Sequence, residues 1–63
     1  PSEGIRTEKW KFMRYRDIEA QDELYDLISD PEELKNLAGD PDHASVVLEM
    51  REKLERKIAK YAQ

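Results

Sequence analysis

The sequence predicts an α+β fold: a small antiparallel β-sheet, built from a hairpin plus a third strand, with one long C-terminal amphipathic helix packed on one face. Three observations predict it. β-branched and aromatic residues gather and alternate in the first sixteen positions. Turn and cap residues cluster between Ser29 and Pro41. Nothing breaks the chain from Asp42 to Gln63, where apolar residues recur at helical spacing. The chain has 63 residues, 38% hydrophobic and 41% charged, which allows one small domain at most. A domain of this size buries only about 60% of the surface its unfolded chain exposes, and no Cys is present to staple it.

The first strand is expected at about 4–7 and the second at 10–16, with Glu8-Lys9 as the turn. From Trp10 onward the alternation puts Trp10, Phe12, Arg14 and Arg16 on one side and Lys11, Met13 and Tyr15 on the other. Asp17 to Asp22 is a polar connection, and 23–28 (Glu23-Leu24-Tyr25-Asp26-Leu27-Ile28) is the third strand. A short helical turn is expected over 31–36. Asp30 suits its N-cap, Pro31 its first position, and Glu33 the third, where a carboxylate can reach back. Asn36-Leu37-Ala38-Gly39 ends it, and Asp40-Pro41 repeats the start signal. The long helix then spans 41–62. Its apolar stripe reads as Ala44, Val47, Leu48, Leu54, Ile58 and Tyr61, with Glu49→Lys53 and Glu52→Arg56 pairs outside.

The formal charge of −4 hides three blocks. Residues 1–16 carry five cations and two acids, residues 17–42 ten acids and only Lys35, and residues 43–63 five cations and three acids. The blocks, at +3, −9 and +2, attract one another in a compact chain. The chain begins at Pro1 rather than Met, and a trimmed or excised piece of something larger is expected.

Material for catalysis is sparse. There is no Cys and one His, and Ser45 lies two residues from His43, so the pair diverges on a helix. The acids Asp26, Asp30, Glu32, Glu33, Asp40 and Asp42 lack the Asp-x-Asp-x-Asp-Gly spacing that gathers oxygens around calcium. Cap formation accounts for Asp30, Glu33 and Asp40. The hairpin interleaves cations with aromatics, the composition of single-stranded nucleic-acid surfaces, but the acidic middle block opposes that reading. One helix covers one sheet face, which leaves Trp10/Phe12 or Met13/Tyr15 on the other. Self-association of an isolated fragment through that face is therefore expected.

Two blocks carry a family resemblance. Arg6-Thr7-Glu8-Lys9-Trp10-Lys11-Phe12-Met13 resembles the R-T-x-x-[YW]-K-[YFL]-I hairpin near the C-terminus of bacterial type I (formylglycine-dependent) sulfatases. Glu23 to Leu37 resembles that family's E-L-Y-D-L-x-x-D-P-x-E-x-x-N-L, and Asp40-Pro41 with the helix is similar to its closing segment. The resemblance implies the C-terminal subdomain of a sulfuric ester hydrolase, docked on the catalytic domain of its own parent chain beside the active-site cleft. It implies calcium and formylglycine in that catalytic domain and none in this chain, and a periplasmic or secreted location. The formylglycine precursor motif, Cys/Ser-x-Pro-x-Arg, is missing here, so no catalytic, cofactor or metal residue carries over. The matched residues read structurally. Asp30, Pro31, Glu33 and Asn36 build a turn, Tyr25 and Leu27 pack, and Arg6 and Lys11 pair with acids or face the cleft. Neither a nucleic-acid nor a membrane partner is expected. The alternatives are a stand-alone interaction module and a nucleic-acid-binding hairpin.

Overall fold

A computed structural model describes residues 2–15 and 21–61. Its elements are β1 (Ser2–Arg6), β2 (Trp10–Tyr15), β3 (Glu23–Asp26), one 3₁₀ turn (Pro41–His43) and α1 (Ala44–Tyr61). The three strands form one antiparallel sheet in the order β1-β2-β3. Arg16, most of the 17–22 connection and the last two residues of the expected helix lie outside the described residues.

The hairpin closes around Thr7, whose N–H donates to the Trp10 carbonyl while its hydroxyl oxygen accepts from the Trp10 N–H at 3.0 Å. This side chain does the work that Asn-Gly does in tighter turns. The register sets Ile5 opposite Phe12 and Phe12 opposite Leu24. One row of three apolar side chains therefore crosses the sheet beneath α1. Phe12, Leu24, Met50 and Leu54 are fully buried, and Val47 and Leu37 complete the core. At about 1.5–3 kcal/mol for each buried large side chain, this cluster is the chief source of stability.

Three expectations are corrected. β1 spans Ser2–Arg6 rather than 4–7, and β3 stops at Asp26 rather than at 28. Asp26 ends it by turning its carboxylate back to accept from the N–H groups of Ile28 and Ser29, an Asx turn. No short helix forms over 31–36: Glu33 takes a left-handed conformation, φ 58°, which no α-helix can absorb. The apolar stripe of α1 is also rotated. Val47, Met50 and Leu54 point inward, whereas Leu48 (56% exposed) and Tyr61 (76%) point outward. The i+3 and i+4 steps from Val47 lead to Met50, Leu54 and Ile58, the line that faces the sheet.

The Asp40-Pro41 signal operates as expected. Asp40 accepts from the Asp42 N–H at 3.0 Å, and the 3₁₀ turn runs directly into α1.

Candidate functional site

The face of the sheet turned away from α1 carries Lys11, Met13 and Tyr15 from β2 and Glu23 and Tyr25 from β3. Strand alternation puts them there, because Phe12 and Leu24 are committed to the core. Glu23 organises this face. Its two carboxylate oxygens accept the hydroxyls of Tyr25 at 2.5 Å and Tyr15 at 2.8 Å. These bonds, Tyr25's foremost, hold the Glu23 carboxyl below its usual range. The same pairing pushes the Tyr25 hydroxyl up to about 12 and raises that of Tyr15. Met13 lies over Gly4, where a Cβ would collide with its sulfur and sit 3.2 Å from the Phe12 carbonyl oxygen. Glycine is needed here for close approach, not for its dihedral freedom.

Lys11 reaches Glu33 at 2.8 Å, tying the sheet to the loop that follows β3. Arg6, its expected companion, is exposed and has no ion pair among the described residues. The loop is a rigid scaffold. Asp30 accepts from the N–H groups of Leu34 and Lys35, which lower its carboxyl pKa in that order of effect. Those donors lie four and five residues ahead, beyond the reach of a helix N-cap, so Asp30 closes a loop instead. Pro31 sits exposed in the turn between them. Asn36 accepts from the N–H groups of Leu24 and Ala38 and donates to the Asp22 carbonyl. Together with the Leu37 N–H donating to Leu24, it occupies the outer edge of β3. Ile28 and Leu34 stand on this loop 71% and 80% exposed.

The opposite charge blocks do meet. Arg14 bridges Glu55 of α1 at 2.5 Å and Glu3 of β1 at 3.2 Å. Arg51 of α1 holds Asp22 at 2.8 Å. His43 is half-buried. Its Nδ1 lies 3.0 Å from Asp40 and its ring meets Trp10 edge-on at 5.8 Å. That contact with Trp10 was not legible from sequence, since it joins residues 33 positions apart.

The arrangement suits docking better than bond-making chemistry. The carboxylates of Asp26, Asp30 and Asp40 are each taken up by their own backbone. Among the described residues no three His, Cys, Asp or Glu side chains converge as a metal cage requires, so these residues do not fit calcium. Ser29-Asp30-Pro31-Glu32-Glu33 keeps the Ser and Pro of the formylglycine precursor motif but has Glu33 where that motif has Arg. Among the described residues no helix is long and apolar enough to cross a membrane.

Residues 1–60 match the family described as N-sulphoglucosamine sulphohydrolase, C-terminal. Over 42 residues, 67% of this chain, the sequence is 45% identical to the "Ulvan-active sulfatase" of Formosa agariphila. The aligned stretch covers 7% of that protein's length. A hairpin, a β3–loop block held by Asp30 and Asn36, and a covering helix thus coincide with a family match along nearly the whole chain. The chain belongs to the N-sulphoglucosamine sulphohydrolase C-terminal family, and its sheet and helix are a sulfatase C-terminal subdomain.

Proposed function

We propose that this subdomain completes the fold of a parent protein that hydrolyses sulfate esters, and that it borders the substrate cleft without supplying a catalytic group. The observation that carries the reading is the family match over residues 1–60 in a chain that lacks the formylglycine precursor motif. In this reading calcium and formylglycine belong to the catalytic domain, and location follows the parent, periplasmic or secreted.

The docking side is the loop after β3 with the adjoining sheet face. Ile28 and Leu34 are large apolar side chains in water, on a loop fixed by Asp30 and Asn36. A rigid loop that presents exposed apolar side chains suits a protein interface. The catalytic domain of the parent is the partner. An isolated fragment, lacking it, self-associates instead. Sedimentation should show dimers at millimolar concentration, and a monomer at every concentration would count against this docking side.

Sulfate release from 4-nitrophenyl sulfate tests the function. The native gene product should release sulfate and lose the activity when its Cys or Ser precursor is replaced. The 63-residue chain alone should release none. Calcium-dependent turnover by that chain, or an inert gene product whose intact mass equals that of this chain, would overturn the proposal.

The hairpin reading as a nucleic-acid surface is disfavoured by the side-chain directions. Phe12 is buried beneath α1, Trp10 packs against the core, and Tyr15 is held by Glu23. None offers a free ring for base stacking.

A further inference from the structure

The last two turns of α1 run beside β1, and an open trough lies between them. Gly4 and Ile5 line it from the strand, and Lys53, Arg56, Lys57, Lys60 and Tyr61 from the helix. Its central hollow measures about 420 Å³. Around the strand edge it continues past Arg6 and Lys11. In an acidic chain this is a concentration of cations, and most are uncommitted. Lys11 is held by Glu33, and Lys57 donates to the Gly4 carbonyl at 3.3 Å. Arg6, Lys53, Arg56 and Lys60 have no ion pair among the described residues. The carboxylate in the lining, Glu3, is bonded to Arg14.

We propose that this trough binds a sulfated polysaccharide chain outside the catalytic cleft, a proposal that rests on the parent being a sulfatase. Charge complementarity carries it. Lys53, Arg56 or Lys57, and Lys60 recur every three or four residues, so their heads form a ladder about 10 Å long on one side of the helix. A linear polyanion can meet such a ladder with several charges at once, and each contact releases counterions. Tyr61, 76% exposed at the end of the ladder, offers one ring face for a sugar. A nucleic-acid strand would need a row of stacking rings, and the lining has one.

The experiment measures binding of the native gene product to dextran sulfate at low and moderate salt, with a matched-charge oligo-dT as competitor. The triple variant K53Q/R56Q/K60Q should bind dextran sulfate on the order of tenfold more weakly, with a flatter salt dependence. The charge-keeping variant K53R/R56K/K60R should bind like the native protein. Lys35→Gln, a charge change outside the trough, should have no effect. If the triple variant fails to fold, as judged by circular dichroism, the single variants Arg56→Gln and Lys60→Gln at exposed positions should each show a partial loss. Unchanged affinity in the trough variants overturns the proposal, and so does oligo-dT binding as tightly as dextran sulfate. Neither result depends on turnover of 4-nitrophenyl sulfate, so the failure of this inference is separable from failure of the sulfatase reading.

Discussion

The two faces of one three-stranded sheet use neighbouring residues for different ends. Towards α1, Phe12 and Leu24 are sealed from water and touch only apolar groups of the core. One position along the same strands, Lys11, Tyr15, Glu23 and Tyr25 are half-buried and join through charge and hydroxyl contacts. The inner face supplies stability through burial, which is non-directional and large. The outer face supplies shape, because hydrogen bonds fix geometry but each adds only about 0.5–1.5 kcal/mol net. A small sheet with one covering helix can thus stay folded while keeping a patterned surface for a partner.

The comparison breaks most severely at its centre. Phe12→Ala should cost about 3–5 kcal/mol, enough to unfold a chain of this size. Met13→Ala, one residue along, should cost about 1 kcal/mol or less, since its side chain is only partly buried on the outer face. A denaturant titration of the two variants checks the contrast, and equal losses would dissolve it. Next in size is Asn36→Ala, which removes three hydrogen bonds, one of them to the strand N–H of Leu24. A loss of about 1–2 kcal/mol is expected, with faster amide exchange at Leu24.

Titration isolates the outer face. Tyr25 has an ordinary value of 10.0 and a folded value pushed up to about 12. Between these the unfolded chain has lost its proton and the folded chain keeps it, so stability is full below pH 10 and declines as pH rises towards 12. The double variant Tyr15→Phe/Tyr25→Phe should lose this alkaline decline, as read by melting temperature against pH. The acid limb is less specific. Glu23, Asp26, Asp30 and Asp40 are all lowered, so stability falls as pH drops below their ordinary values of 4.5 and 3.8. The smallest effect belongs to Lys11→Ala. Its pair with Glu33 is about one-third exposed, and a loss of about 0.2–1 kcal/mol is expected.

Much of the fold was legible in the sequence because it rests on periodicity. Alternation from Trp10 placed Phe12 and Met13 on opposite faces, and the unbroken run after Asp42 marked the helix. The β3–loop block misled because Asp-Pro-x-Glu reads equally as a helix start and as a closed loop. Glu33 decides between them. Its left-handed backbone coincides with a partner, Lys11, that lies 22 residues away in sequence. No local pattern reports such a partner. Met50 was passed over because Leu48 is the more obviously apolar residue, yet helix geometry puts Met50, not Leu48, in line with Val47 and Leu54. At the candidate site, the turn residues could be named from their types. Which atoms they serve could not, since Asn36 answers to β3 and Asp30 to Leu34.

The core joins the two ends of the chain, and that has a consequence in time. Phe12 and Leu24 are made early, whereas Met50 and Leu54 come some forty residues after Phe12. A hairpin closes in about 1–10 μs, but a ribosome adding about 5–20 residues per second needs about 2–8 s to supply the helix. For that interval the nascent sheet carries its apolar row uncovered. A chain interrupted before Met50 never covers it, so it should be cleared by proteases or held by chaperones rather than accumulate as a folded product.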